Sequence, residues 1–318
     1  MTGRVIVIGD VVTDVVGVVE AAIVEGSDTP ARITVTGGGG GANTAAWLAH
    51  AGAPVTLCAA VGTDAAGTAR IDELLSAGVT CVAARHADAV TGSVIVLSRA
   101  RSGVAERTMI SDRGANDLLT SADVDAAFAA APEAVHLHLS GYTLLHSGSN
   151  AAGRHALEIA HERGLTASVD AGSAAPLREV GGPAFISWVR RADVLFANGD
   201  EAAVLIGDAG SGTPPLGPNE MAAALATRLA GGTEAGGIVV VKLGAAGAVA
   251  ATGRGAVLRV PASAASAADV TGAGDAFAAG FLIAWLGSGD VGAALAAGAE
   301  LGAVAVTTIG GRPVGRGG

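Results

Sequence analysis

The residues best equipped for chemistry lie in two glycine-rich segments far apart in the chain. In the first, Asp269-Val-Thr-Gly-Ala-Gly-Asp275 leads straight into the apolar run Ala276-Phe-Ala-Ala-Gly280, so a turn opens into a helix. The first amides of a helix have no intrahelical acceptor, and the aligned peptide dipoles put roughly half a positive charge there. Such a turn holds an anion, and Gly272 and Gly274, flanking Ala273, let the backbone come close to it. A carboxylate in the same turn repels phosphate, yet it suits a base that takes the proton from a hydroxyl attacking phosphorus. Asp275 is that candidate, and the plain alternative is an acid stabilising an ordinary helix start.

The second segment runs from Gly37 to Gly41 and continues into Ala42-Asn43-Thr44. Consecutive glycines are entropically costly, which points either to something that must approach the backbone or to a hinge. The same letters satisfy G-x-G-x-x-A with Asp64 downstream, so a dinucleotide-dependent oxidoreductase stands as an alternative. Asp14 follows the first strand-like run, where the C-terminal edge of an α/β sheet places ligand groups. Asn198-Gly-Asp-Glu201 reads as a helix start with a capping residue and an acid three positions on. His136 and His138 share one strand face, a spacing open to metal binding or to plain packing, with packing favoured because no third ligand clusters nearby. Lys242 is followed by Leu243-Gly244, which excludes a phosphate-binding P-loop, and no G-x-S-x-G elbow occurs.

These residues need a scaffold, and the patterning describes one. Short Val/Ile runs at Val5 to Ile8, Val55 to Ala60, Ala134 to Leu139, Thr166 to Val169, Val194 to Phe196 and Ile238 to Val241 predict parallel strands. Between them, Asn43 to His50, Ala65 to Ala77, Asn150 to Arg163, Glu220 to Ala230, Ala273 to Leu286 and Val291 to Val304 predict helices. Residues 15–36 and 91–112 break the alternation as paired extended runs, expected to form a small separate β-sheet, a lid. Asp208 to Pro218 reads as a loop. The whole chain, 1–318, is expected to be one α/β domain.

Composition bounds the rest. Half of the 318 residues are apolar and the mean hydropathy is +0.52, enough to bury a core and exclude a disordered chain. Acids outnumber bases 29 to 19, a net charge of −10 that argues against nucleic acid as a partner. Cys58 and Cys81 sit in apolar runs and read as buried thiols of a reducing compartment. No stretch is apolar for long enough to span a bilayer and the start of the chain lacks a cleavable leader pattern, so no membrane partner and a cytoplasmic location are expected.

In order and spacing these segments resemble the ribokinase-like, phosphofructokinase-B type carbohydrate kinases. The resemblance runs from Ile8-Gly9-Asp10 to Gly310, with Gly38-Gly-Gly-Gly-Ala-Asn43 and Val61-Gly-Thr-Asp64 similar to the first family signature and Asp269 to Asp275 to the second. It implies a three-layer α/β/α sandwich, a mainly parallel central sheet with a β-sheet lid, and transfer of the ATP γ-phosphoryl group to a hydroxymethyl group of a small sugar or sugar acid. Asp275 would be the base, with Gly272, Ala273 and Gly274 forming the anion hole. Asp14, Gly38, Gly39 and Asn43 would hold sugar hydroxyls, and Arg107 on the lid would meet an acidic substrate group or support its strand. Asn198, Lys242, Gly244 and Gly247 would line the nucleotide, and Glu201 would organise Mg²⁺ through water. Asp269, Thr271, Ala305 and Gly310 match positions that ligate a monovalent cation in ribokinase, leaving the need for K⁺ open, as it leaves a homodimer through the lid.

Three departures bear on the substrate. Gly40 stands where ribokinase has lysine, Ser140 falls about where it has a sugar-contacting glutamate, and Gly199 replaces the first glutamate of N-E-x-E. Ribose itself is therefore doubtful as acceptor. A nucleoside kinase of the same family and a noncatalytic sugar or nucleotide sensor are the alternatives, the former disfavoured by a chain with three Trp, five Phe and one Tyr.

Overall fold

Strands buried on both faces need helices above and below, and the fold follows from that requirement. The computed structural model describes residues 3–19, 22–101, 104–207, 216–229 and 237–313, without the side chains of 99–101 and 104–107. In chain order the elements are β1 (Arg4–Ile8), β2 (Val12–Val19), β3 (Arg32–Gly38), α1 (Gly40–His50), β4 (Val55–Gly62), α2 (Ala65–Ser76), β5 (Thr80–His86), β6 (Thr91–Arg101) and β7 (Val104–Gly114). Then come α3 (Ser121–Ala130), β8 (Ala134–Ser140), α4 (Tyr142–Leu145), α5 (Asn150–Glu162), β9 (Thr166–Asp170), α6 (Ala174–Val180), α7 (Gly182–Val189), β10 (Val194–Asn198), α8 (Gly199–Ile206) and α9 (Pro218–Leu229). The chain closes with β11 (Ile238–Lys242), β12 (Ala248–Thr252), β13 (Val257–Val260), α10 (Ala273–Ser288) and α11 (Val291–Ala305).

The large sheet has the order β13-β12-β11-β10-β9-β8-β1-β4-β5. It is parallel from β11 to β5, and β12 and β13 add an antiparallel margin. Alternation splits its side chains between two cores. Ile6, Ile8 and Leu137 face the layer of α3, α5, α8 and α9, whereas Val5, Val7 and Leu57 face α1, α10 and α11. Every expected strand and helix is present. The edge strand β5, the β12–β13 hairpin and the helices α3, α4, α6 and α7 were not foreseen. β5 and β13 carry mixed, part-exposed residues, so they lack the apolar run of a central strand.

The four-stranded sheet has the order β3-β2-β6-β7, with β2 and β6 parallel and the outer pairs antiparallel. Val12, Val16, Val94 and Val96 give it a small core of its own. Its strands begin and end nearer the large sheet than expected, so Asp14 is a strand residue and not a loop residue. Asp64 fastens the two sheets: it caps α2 through the Gly67 amide at 2.7 Å and accepts from the Thr91 amide and hydroxyl at 2.8 and 2.6 Å. That engagement removes the dinucleotide alternative, because Asp64 is spent on Thr91 and the glycine run leaves the small sheet, not the first central strand. Of the loop expected at Asp208 to Pro218, residues 208–215 lie outside the described residues and Pro218 opens α9.

Helix α1 starts at Gly40, three residues before the expected Asn43, because Gly39 at φ 97° turns the chain directly out of β3. Gly41 then packs on Gly9, where a Cβ on either residue would strike the backbone of the other. Cys58 and Cys81 are free thiols, the first buried and the second half-buried, and burial pushes them up to about 12 and about 11. Among the described residues no helix is long and apolar enough to cross a membrane.

His136 and His138 belong to a hydrogen-bonded column, and no metal-binding group of three His, Cys, Asp or Glu occurs among the described residues. The Thr166 hydroxyl donates to the Val135 carbonyl at 3.3 Å, leaving its oxygen to accept from His136 Nδ1 at 2.8 Å. The Ser168 hydroxyl lies 2.8 Å from both His136 Nε2 and His138 Nδ1, so it donates to the first and accepts from the second. That pattern keeps the His136 ring neutral, and burial depresses both rings from 6.5, to about 3 for His136 and about 4 for His138. Groups so depressed stabilise the fold fully above their unfolded value, and the stability is lost as pH falls below 6.5 toward the folded values. Between pH 7 and pH 5 each histidine is expected to remove about 2 kcal/mol. Glu201, raised by burial, acts in the opposite sense, so the readout is a difference between proteins. Denaturant unfolding should show a pH 7 to pH 5 loss smaller by about 2 kcal/mol in His138→Gln than in the parent chain. Equal losses would show that His138 does not titrate in this way.

Candidate active site

The carboxyl ends of the parallel strands form one row. Ser140 pairs in register with Asp170, Asp170 with Phe196, and Asn198 with Lys242. In open α/β sheets ligands bind along this edge, near the point where strand order reverses. Here that point is β1, with β8 on one side and β4 on the other.

The first turn of α10 faces the row. Gly272, at φ 73°, is its N-cap without any side-chain cap, and a Cβ there would enter the backbone of Gly311. The Ala273 amide makes only a long 3.4 Å contact to the Val270 carbonyl. Asp275 lies in this turn, and its Oδ2 accepts from Asn43 Nδ2 at 2.9 Å. A Cβ on Gly40 would sit 3.0 Å from Ser140 Oγ and 3.9 Å from Asp275 Oδ1. The two glycine segments therefore meet, and the residue types singled out in each face one another. Asp14 is 3% exposed, level with Thr36 and Val94, and a Cβ on Gly38 would overlap its carboxylate.

Lys242 and Glu201 stand at the neighbouring strand ends. Lys242 Nζ donates to Asp170 Oδ2 at 2.5 Å, and although burial opposes its charge, Asp170 and Glu201 keep the ammonium above its ordinary value. Asn198 and Glu201 form a reciprocal capping box. The Glu201 carboxylate accepts from the Asn198 amide at 2.7 Å and its Nδ2 at 2.6 Å, while Asn198 Oδ1 accepts from the Glu201 amide at 2.9 Å. Burial, then the charge of Asp170, raises the Glu201 carboxyl to about 7. Gly244 at φ 55° and Gly247 at φ 89° shape the tight turn after β11, and space around Gly244 is open.

Asp269 ties the approach to α10 to the segment after α11. Its Oδ1 accepts from the Thr271 amide and hydroxyl at 3.0 and 2.8 Å, and its Oδ2 accepts from the Gly310 amide at 2.9 Å. The Ala305 carbonyl, in the last turn of α11, is approached by the Thr308 amide and hydroxyl at 3.4 Å. Arg107 is placed only as a backbone position opposite Ser98, its side chain lying outside the described residues. It stands four residues along the strand from Ser111, which is level with Asp14 across β6, a distance of roughly 13 Å.

Sequence reasoning missed Asp170, Asp10, Arg113 and Asn116. The Arg113 guanidinium binds Asp10 through two bonds of 2.7 and 3.2 Å and Asp117 through a third of 2.6 Å. Asn116 pairs with both backbone groups of Val11 at 2.9 and 3.1 Å, as a strand would, and so fixes the turn between β1 and β2. Asp170 had a readable signal, since it ends a predicted strand just as Lys242 does.

Known proteins are similar in sequence and fold. A family model described as pfkB family carbohydrate kinase matches residues 2–314. An ATP-dependent ribose-1-phosphate kinase of Halopiger xanaduensis is 31% identical over 260 residues, spanning 82% of this chain and 77% of that one. The crystal structure of a ribokinase from Cryptococcus neoformans var. grubii serotype A in complex with ADP superposes with a TM-score of 0.72 at 25% identity, covering 98% of this chain and 96% of that one. An adenosine kinase structure from Sinorhizobium meliloti gives 0.82 at 22% identity, covering 99% and 97%, which speaks for the fold alone. With the glycine turns, the strand-end row and a match spanning nearly its whole length, the chain belongs to the pfkB family of carbohydrate kinases, phosphotransferases that act on an alcohol group.

Proposed function

We propose that this kinase transfers the γ-phosphoryl group of ATP to a hydroxymethyl group of a small sugar or sugar acid, with Asp275 as the base. The observation that carries the reading is the 2.9 Å bond from Asn43 Nδ2 to Asp275 Oδ2, which joins the substrate-side glycines to the anion-binding turn. Asp14, Gly38, Gly39 and Asn43 then hold acceptor hydroxyls, and the glycines let the chain pack directly on Asp14 and on the Asp10 backbone. The amides of Gly272, Ala273 and Gly274 receive the transferred phosphoryl group. Asn198, Lys242, Gly244 and Gly247 line the donor nucleotide. The reaction needs attacking oxygen, phosphorus and leaving oxygen nearly in line, so positioning and electrostatics supply most of the rate.

Glu201 fits the expected role toward Mg²⁺, since the capping box uses about two of the roughly four acceptor sites of a carboxylate. Magnesium bound with few protein ligands is usual where nucleotide phosphates complete the shell, and its chemistry would be to neutralise charge on those phosphates. Asp269, Thr271, Ala305 and Gly310 lie together and offer oxygen ligands suited to K⁺, with Asp269 already organising the loop. The small sheet acts as the lid, excluding water that would otherwise accept the phosphoryl group. Its outer face exposes Ile33, Val35, Ile95 and Ile110, the surface through which a homodimer would form.

A coupled ADP-release assay with Mg²⁺ and a panel of ribose, fructose, ketodeoxygluconate, ribose 1-phosphate and adenosine tests the reading. Turnover with at least one sugar is expected; ADP release only with adenosine would make the protein a nucleoside kinase, and ADP release with no acceptor in the panel would count against the proposal. Asp275→Asn should lower kcat by about 10² to 10⁴ while nucleotide binding persists. Turnover near that of the parent chain would remove Asp275 as base. Asp14→Ala should raise the sugar KM by roughly 10- to 100-fold, the loss of one charged hydrogen bond, and leave the ATP KM little changed. Equal losses for both substrates would mean that Asp14 supports the fold and not the sugar.

A further inference from the structure

Lys242 is the only lysine in the chain, and it ends β11 beside the first turn of α10. Its side chain is 15% exposed and its ammonium donates to Asp170 Oδ2 at 2.5 Å, while Asp170 Oδ1 accepts from the Gly172 amide at 3.0 Å. Each oxygen of Asp170 thus has a fixed partner, and the lysine is held at a set height above the strand ends. A Cβ on Gly274 would lie 3.0 Å from Lys242 Nζ, so nothing separates the ammonium from the turn. Asp170, Glu201 and Asp275 hold the charge of Lys242 in place, and an anion lying between the ammonium and the helix start would be attracted by both.

We propose that Lys242 is a catalytic residue, the side-chain member of the anion hole that contacts the transferred phosphoryl group, and that Asp170 is its positioning residue. The inference rests on the kinase reading above and deepens it. In the transfer, the acceptor oxygen bonds to phosphorus as the bond to the β–γ bridging oxygen breaks, and the hydroxyl proton passes to Asp275. ADP departs with the electron pair of the broken bond. Lys242 stays protonated throughout, giving hydrogen bonds to the equatorial oxygens as their charge develops. Asp170 fixes the direction of those bonds and touches no reacting atom. A methyl group on Gly274 would press on the ammonium and shift it by a few tenths of an ångström.

Growth on lysine enriched in ¹³C at Cε gives one side-chain resonance, from Lys242 alone. Saturating a nonhydrolysable ATP analogue with Mg²⁺ should move that resonance, and Asp170→Asn should move it in the free protein. Lys242→Met should lower kcat by about 10² to 10³, the usual loss for one donor of an anion hole, with the sugar KM nearly unchanged. Because that variant leaves Asp170 without its cation, Asp170→Asn/Lys242→Met serves as the folding control and should be as slow as Lys242→Met, since Asp170 acts only through the lysine. A resonance unmoved by the analogue, or kcat of Lys242→Met near that of the parent chain, would overturn the role of Lys242. A further loss in the double variant would overturn that of Asp170. Failure of the parent chain to turn over any sugar would instead sink the kinase reading, and the resonance would still report whether Lys242 meets the nucleotide.

Discussion

A helix start that faces a cleft has amides without acceptors, and the surroundings of α10 are built to keep that start open. α2, α3, α8 and α11 each begin with a side chain folded back onto the first amides. α4 to α7 have none, and neither do α1 and α10, which meet at the cleft. What sets α1 and α10 apart is that each begins at a glycine with positive φ wedged against backbone, Gly39 on Asp10 and Gly272 on Gly311, whereas Gly181 before α7 faces open space. Substituting either would demand both a strained φ and room that the neighbouring chain occupies. An anion bound between these two uncapped starts would satisfy amides of both.

The segment after α11 holds these pieces in place. Gly310 is bound by Asp269, the Gly311 carbonyl accepts from Trp47 Nε1 at 3.0 Å, and Arg312 donates to the Gly38 carbonyl at 2.8 Å. Arg312 also reaches Glu73 at 3.3 Å, and its burial outweighs that carboxylate, lowering it to about 10. One short strap thus touches the entry to α10, the body of α1, α2 and the end of the small sheet. Gly38 in turn lies against Asp14, so the substrate side and the phosphoryl side share a support.

Much of this was legible because it depends on local chemistry. Parallel strands read as apolar runs, and β1, β4, β8, β9, β10 and β11 fall within about two residues of expectation. Turns that need glycine, and an acid in a helix's first turn, are visible without any partner. Asn43 and Asp275 were each singled out, but their contact across the molecule has no local signature. The same holds for Arg113 with Asp10 and for Arg312 with Gly38, where the guanidinium finds its partner only once the layers stack. Where a residue had two readings, the geometry sometimes kept both: Glu201 is a capping acid by its hydrogen bonds and still stands beside Asp170 and Lys242. For His136 and His138 it kept one, since Ser168 takes the place a metal would need.

Acids lining a cleft repel a polyanionic donor, and the arrangement of charges lessens that conflict. Asp10 is matched by Arg113, Asp170 by Lys242 and a backbone amide, and Glu201 by its own helix cap, so each carboxylate has a donor beside it that offsets part of its charge. On the proposed reading, what is left to meet the phosphates is a set of amide dipoles and one ammonium on a short leash. Dipoles weaken quickly with distance, so they add little to the attraction that draws a nucleotide in and most to charge that appears within hydrogen-bond reach. A site built this way favours the transferring group over the resting substrate, which is the condition for binding energy to raise kcat instead of only lowering KM.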